Sequence, residues 1–286
     1  MKPDRPSTTA SIVALNRAAA HGATRIRGFD DPIAAALLPP SMRLLLPLAR
    51  LGSRRFTQSP RWSDRVARAV FGPNVEAVPL RTVAIDAWLR ESPPAQFVIL
   101  GAGLDARAWR LPELKDSVVF EVDHPATQRY KRERVGSLPP LARDHRFVTV
   151  NFERDSLEER LEAAGHDRAR PTSWLWEGVV PYLRPEAIRE TLRVLKARSA
   201  AGSSLAATYS VPVFGRIPPQ LFGLFGEPFL TAWSPEQMAA ELRSSGWQAT
   251  DDTGVLEWVA RFGGVQPTRL SSRWVWPERL VVATAV

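Results

Sequence analysis

From residue 96 onward, short apolar runs alternate with capped helical segments, and this alternation constrains the fold more than any other feature of the chain. The runs cover residues 97–101, 118–123, 147–151, 173–179 and 204–209. A strand with one wet face would alternate polar and apolar residues; these are apolar nearly throughout, so both faces of their sheet must be covered. Between them, segments 125–135, 156–164 and 185–200 have helical character and stop at Gly136, Gly165 and Gly202, residues that accept the backbone of a helix end. The pattern predicts an α/β fold built on a doubly wound, mostly parallel sheet.

The flanking regions read differently. The first ninety residues carry short helical segments and no strand pattern. Asp31-Pro32 offers an N-cap and a first-turn proline, Ser63 caps a stretch running to Gly72, and residues 79–90 place Val83, Ala84, Ala87 and Trp88 at helical spacing before Pro93-Pro94. After the fifth run, residues 212–230 are rich in Pro, Gly and Phe and read as an inserted cap. Ser234-Pro-Glu-Gln237 is a capping box opening a helix that ends before Gly246. Strand-like runs at 247–250 and 279–284 complete the chain, so five parallel strands closed by a hairpin-like pair are expected, seven in all. Residues 1–92 are expected to form an N-terminal helical extension or lid, and residues 93–286 the α/β domain, with 211–232 capping its site.

Composition narrows the chemistry. The 286 residues include no cysteine, which excludes disulfides, thiolate nucleophiles and Cys-built metal centres. The four histidines (His21, His124, His145, His166) have no metal-binding spacing, so no metal is expected. The net charge is +8, and 34 of the 38 basic residues are arginine, the signature of a GC-rich genome more than of a nucleic-acid stripe. No apolar run approaches the ~20 residues of a membrane span; the best, 44–51, is broken by Pro47 and Arg50. Without a signal-peptide pattern, a cytoplasmic location is expected, with no membrane partner.

The most informative stretch is Phe97-Val-Ile-Leu-Gly101-Ala-Gly103-Leu-Asp105-Ala106, a strand running into a tight glycine turn, where such sheets hold nucleotide-like ligands. It satisfies G-x-G-x-x-A, the dinucleotide pattern. Asp105, however, stands where a pyrophosphate would sit, and a carboxylate there repels phosphate while favouring the cationic sulfonium and amino groups of S-adenosylmethionine. Glu121-Val-Asp123, about 20 residues on, supplies an acid for ribose hydroxyls and suits either ligand.

Three motifs together, Leu100-Gly-Ala-Gly-Leu-Asp-Ala-Arg-Ala-Trp-Arg-Leu111, Phe120-Glu-Val-Asp-His-Pro125 and Trp176-Glu-Gly-Val-Val-Pro-Tyr-Leu183, resemble the leucine carboxyl methyltransferase family, whose bacterial branch includes polyketide carboxyl O-methyltransferases. The resemblance runs from about Ala14 to Tyr209, in the family's order and spacing. It implies a class I methyltransferase (Rossmann-like) fold and S-adenosyl-L-methionine as methyl donor. Carried over by position, Arg81 holds the donor's methionine carboxylate, Gly101 lies beneath it and Asp123 takes the ribose; Gly103 and Asp105, read from the turn itself, are candidate donor-binding residues beside them. Asn151-Phe152 stands where the family usually has Asp-Leu beside the adenine; the Asn151 carbonyl still accepts from an amino group. Glu177 lies near the methionine moiety and the acceptor.

Ordinary structural roles stand beside these: Arg81 paired with Asp86, Glu121 turned away from the ligand, Glu177 as a buried acid, Trp109, Trp174 and Trp176 in the core, and His124 at a helix start. The expected acceptor is a small apolar molecule bearing a carboxylate or hydroxyl. A carboxylate is ionised near neutral pH and needs no general base; a phenol would, with His124 or His145 as first suspects and Glu177 and Tyr182 as further catalytic candidates. The aromatic insertion (Phe214, Phe222, Phe225, Phe229) suits an apolar pocket. An NAD-dependent oxidoreductase, disfavoured by Asp105 and by the lack of a Tyr-x-x-x-Lys pair, and a non-catalytic or nucleic-acid-binding protein of the same fold are the competing readings.

Overall fold

The computed structural model describes residues 7–152, 154–212, 229–268 and 277–286. Seven strands, β1 (Gln96–Leu100), β2 (Val118–Asp123), β3 (Asp144–Thr149), β4 (Thr172–Trp176), β5 (Ser204–Ser210), β6 (Trp247–Gly254) and β7 (Glu278–Ala285), form one sheet in the order β3-β2-β1-β4-β5-β7-β6. The first five are parallel, and β7 runs antiparallel between β5 and β6. The expected topology is therefore observed. Because β7 is reversed, its first residue, Glu278, lies beside Ser210 at the end of β5 and reaches the carboxyl edge of the parallel strands.

Alternate residues of each strand feed two cores. On one face Val98, Leu100, Phe120 and Trp174 pack with α7 (Leu157–Ala163), α8 (Pro185–Ala197) and α9 (Pro235–Ser244). On the other, Phe97, Ile99, Val119 and Leu175 pack with α4 (Arg65–Glu91) and α10 (Val255–Phe262). Burial on both sides is why these strands read as continuous apolar runs. The edge strand β3 is shifted from the expected 147–151: it pairs only with β2, and so admits the polar Asp144, His145 and Arg146. The remaining α-helices among the described residues are α1 (Thr8–Ala20), α2 (Ala34–Leu37), α3 (Pro40–Gln58), α5 (Arg107–Arg110) and α6 (Pro125–Val135). Asp31 is not the N-cap of α2, which is Ile33, but stands two residues before it, where its Oδ1 accepts the Ala34 amide at 2.9 Å.

One expectation about the N-terminal segment is corrected. The stretches ending at Gly72 and beginning at Pro79 are a single 27-residue helix, α4, that starts after Asp64 and runs through Pro73 and Pro79. An interior proline costs about 3 kcal/mol, but Leu80, Val83, Ile85 and Leu89 are essentially fully buried against the sheet, each contributing about 1.5–3 kcal/mol. Packing outweighs propensity. Gly72 is no stop: a Cβ there would lie 2.8 Å from the Phe56 carbonyl oxygen, so the glycine lets α3 approach.

His166 sits in the first core, its ring 5.5 Å from Phe120 and 5.1 Å from Trp174, with Nε2 3.0 Å from the Thr172 hydroxyl. Burial, reinforced by Arg198, pushes its pKa down to about 4. Below the ordinary value of about 6.5 the unfolded chain takes a proton that the folded chain refuses, so stability falls as pH drops. Urea unfolding is expected to show about 2 kcal/mol lost from this group between pH 7 and pH 5, and His166→Gln should lack that component. Parallel pH profiles for the two proteins would refute it.

Candidate active site at the carboxyl edge of the sheet

A cavity of about 200 Å³ opens above the ends of β1, β2 and β4. Its floor is the glycine turn after β1, where Gly101 (φ 64°) and Gly103 (φ 50°) adopt left-handed backbone that other residues avoid. The turn is tightly roofed. A Cβ on Gly101 would lie 2.5 Å from Val179 Cγ2, and one on Gly103 3.1 Å from Ala10 Cβ of α1. Helix α1 supplies further wall through Val13 and Arg17, whose Nη2 donates to the Leu104 carbonyl at 2.5 Å.

Arg81, Asp105, Asp123, Glu177 and Tyr182 all line this cavity with the two glycines. Arg81 reaches it from α4 and does not pair with Asp86. Its Nε donates to Glu177 Oε1 at 2.7 Å and its Nη1 to both oxygens of Glu278 at 2.8 and 2.9 Å. Its Nη2 makes no hydrogen bond among the described residues and stands beside Gly178, 4.0 Å from where a Cβ would be. Glu177, placed just past β4 because that strand ends at Trp176, gives its other oxygen to Arg107 Nη1 at 2.8 Å. Burial pushes its carboxyl up, but Arg107 and Arg81 outweigh that and hold it below the usual range. Two guanidiniums thus lock Glu177 as a carboxylate, a poor proton acceptor.

Asp105 also differs from expectation. It is not a bare rim charge: Oδ1 accepts the Arg107 amide at 2.7 Å, and Oδ2 meets the Arg107 guanidinium. Burial raises its carboxyl, yet Arg107, Arg17 and Lys131 prevail and hold it well below the ordinary value. Arg107 in turn bonds Asp86, which holds Arg110, and Arg17 bonds Asp31. Counting the residues that line the cavity or join it through this chain of ion pairs, six carboxylates (Asp31, Asp86, Asp105, Asp123, Glu177, Glu278) meet four guanidiniums (Arg17, Arg81, Arg107, Arg110). The acidic excess belongs to the lattice, not to Asp105 alone.

Asp123 ends β2 and takes the Gly103 amide on Oδ2 and the His124 amide on Oδ1, each at 2.5 Å. Burial pushes its carboxyl up. Asn151 and Phe152 follow β3 at the same edge but are not among the cavity walls; Phe152 is 58% exposed. His124 caps α6, its Nδ1 accepting the Ala126 amide at 3.3 Å, and lies outside the cavity. His145 packs between Trp109 and Phe147 and is not among the walls. Glu121 is paired with Lys131 at 2.5 Å. Trp109, Trp174 and Trp176 are core residues. Tyr182 does line the cavity and meets Phe229 edge-on, ring centroids 5.1 Å apart. Phe214, Phe222 and Phe225 lie outside the described residues.

The profile of the leucine carboxyl methyltransferase family matches residues 10–196, about two thirds of the chain, including β1 to β4. The chain belongs to the leucine carboxyl methyltransferase family. A family relative from Mycolicibacterium smegmatis is 36% identical over 203 residues, covering 69% of this chain and 64% of its own. One from Mycobacterium sp. strain JLS is 44% identical over 126 residues, covering 43% and 38%. Both carry the provisional name S-adenosyl-L-methionine-dependent methyltransferase. The match thus spans less than two thirds of either relative's length. The crystal structure of a provisionally assigned methyltransferase from Thermobifida fusca YX aligns with a TM-score of 0.57 at 16% identity, over 98% of this chain and 95% of that one. The fold of this family member is accordingly the Rossmann-like class I methyltransferase fold.

Sequence reasoning missed four members of the family protein's charge lattice. Arg107 and Arg110 lay inside the glycine-turn motif without roles, Arg17 stands in a helix remote in sequence, and Glu278 is separated from Arg81 by 197 positions. A signal for Glu278 existed: the first residue of a reversed final strand lands at the carboxyl edge of its parallel neighbours.

Proposed function

We propose that this protein binds S-adenosyl-L-methionine in the cavity over the glycine turn and methylates an oxygen of a small molecule, a carboxylate by preference. The observation that carries the reading is the state of the turn's amides. Ala102 N–H is bonded to the Val122 carbonyl, Gly103 N–H to Asp123, Asp105 N–H to the Ala102 carbonyl and Arg107 N–H to Asp105. A pyrophosphate needs such amides free. With these four taken, though not the Leu104 and Ala106 amides, and with carboxylates in excess, the cavity favours a cation over a diphosphate. This replaces the repulsion by Asp105 as the argument against a dinucleotide.

The unbonded Arg81 Nη2 corner matches a carboxylate, here that of the methionine moiety. Asp123 keeps lone pairs for ribose hydroxyls beyond its two amides, and Asn151 lies further along the same edge for the adenine. Bound S-adenosylmethionine supplies a methyl carbon activated by a positive sulfur. The protein's part is to hold an acceptor oxygen in line and keep water out. Helix α1 does the latter, as the part of the 1–92 segment that roofs the cavity, and Tyr182, backed by Phe229, gives an apolar acceptor an aromatic wall. His124 and His145 are not among the cavity walls and Glu177 is locked, which favours an acceptor already ionised at cytoplasmic pH.

Calorimetric titration with S-adenosylhomocysteine and, separately, NAD tests the reading. Wild type should bind the homocysteine compound and give no heat with NAD, and Asp123→Ala should weaken binding at least about tenfold, one lost charge-assisted contact. Tighter binding of NAD, or an unchanged affinity in a folded Asp123→Ala protein, would overturn it.

A further inference from the structure

Residues 40–72 hold seven arginines and one acid, Asp64, so six of the chain's eight net positive charges fall on this stretch. It comprises α3, a single 3-10 turn (Trp62–Asp64) and the first turns of α4. Helix α3 buries Leu46, Ser53 and Thr57 against the body. Its opposite side presents Leu44, Leu48 and Leu51, which are 81%, 68% and 66% exposed. At 100° per residue these three leucines lie within about 60° of one another, and Leu45 continues the stripe. Arg43, Arg50 and Arg54 form a row along one flank, between the stripe and the buried side. Arg55 ties Asp64 to α3 at 3.1 Å, which sets the 3-10 turn beside the end of the stripe and leaves Trp62 88% exposed. Among the described residues Arg55 alone of the seven arginines makes an ion pair.

We propose that this face docks on an anionic lipid bilayer, with α3 lying in the interface. The leucine stripe and the Trp62 ring enter the headgroup–acyl boundary, while the arginine row meets lipid phosphates. The chemistry matches on both counts: a wide exposed apolar stripe flanked by unpaired cations is what an interfacial helix presents, and an indole is at home at that depth. No helix among the described residues is long and apolar enough to cross a membrane, so the contact is peripheral. A second copy is a poor occupant, because a two-fold contact would set seven arginines against seven with only Asp64 from each side to offset them. Nucleic acid would satisfy the arginines but leave the leucines and Trp62 in water.

The test is sedimentation of the full chain with vesicles of phosphatidylcholine, alone or mixed with phosphatidylglycerol. Partition onto the mixed vesicles should exceed that onto neutral ones by at least about tenfold. Joint replacement Leu48→Glu and Trp62→Glu should lower it by a similar factor, with unchanged circular dichroism and S-adenosylhomocysteine affinity. Arg54→Glu with Arg65→Glu should lower it selectively on the anionic vesicles. Failure of folded wild type to sediment with anionic vesicles, or equal partition of wild type and both variants, would overturn the proposal. So would light scattering that shows a wild-type dimer abolished by Leu48→Glu, or duplex DNA binding in the absence of vesicle binding.

Discussion

Arg107→Ala is expected to lower the free energy of unfolding by about 3–5 kcal/mol, the largest effect of any single substitution near the cavity. The side chain is fully buried, with Nε 2.8 Å from Asp86 and Nη1 bonded to both Asp105 and Glu177. Truncation strips Asp105 of its guanidinium and takes one of two cationic partners from Asp86, which keeps Arg110, and from Glu177, which keeps Arg81, in a largely buried site. All three carboxylates are held below their ordinary pKa in the intact lattice, where burial alone would raise them. In the variant that balance shifts and protonation relieves the uncompensated charge, so the gap to wild type should narrow as pH falls from 7 toward 5. Arg107→Lys should recover only part of the loss, since an ammonium cannot span Asp86 and Glu177 as a planar fork does. Urea denaturation at several pH values measures all of this. A loss below about 1 kcal/mol at pH 7, the scale of an exposed pair, would show that the lattice is not needed for stability.

Arg81→Ala is expected to weaken S-adenosylhomocysteine binding about a hundredfold, roughly 3 kcal/mol, by removing a charge-assisted partner for the ligand carboxylate in a partly desolvated site. Its cost to folding should be smaller than that of Arg107→Ala. Glu177 would keep Arg107, and Glu278, whose carboxyl is already pushed up by burial, would go protonated once Arg81 is gone. Calorimetry paired with thermal unfolding separates the two effects. A change in affinity of less than about threefold would remove Arg81 from the ligand site.

The strands β1, β2, β4 and β5 were legible because each is buried on both faces and so leaves an apolar run; β3, at the sheet edge, was displaced by three residues at its start because an edge strand need not be apolar. The two proline-containing stretches before residue 92 looked like separate helices because proline is penalised locally, whereas the reward for continuing α4 comes from a sheet formed by residues that follow it. The cavity-lining set Arg81, Gly101, Gly103, Asp105, Asp123 and Glu177 was named from motifs, but the partners that decide their chemistry were not. Asp105 was read as a free charge since its neutralising contact, Arg107, is a matter of side-chain direction. His124 and His145 were plausible bases only while their caps and ring contacts were unknown.

By itself, the order of residues determined the sheet's wiring, the glycine turn and the family, because those depend on local periodicity and on backbone angles that only glycine adopts freely. The tertiary structure alone decided which charges are compensated, which turn amides remain free to bind and which leucines of α3 face outward. Those outcomes are set by distances of about 3 Å between groups up to 197 positions apart, and a linear sequence holds no measure of such distances.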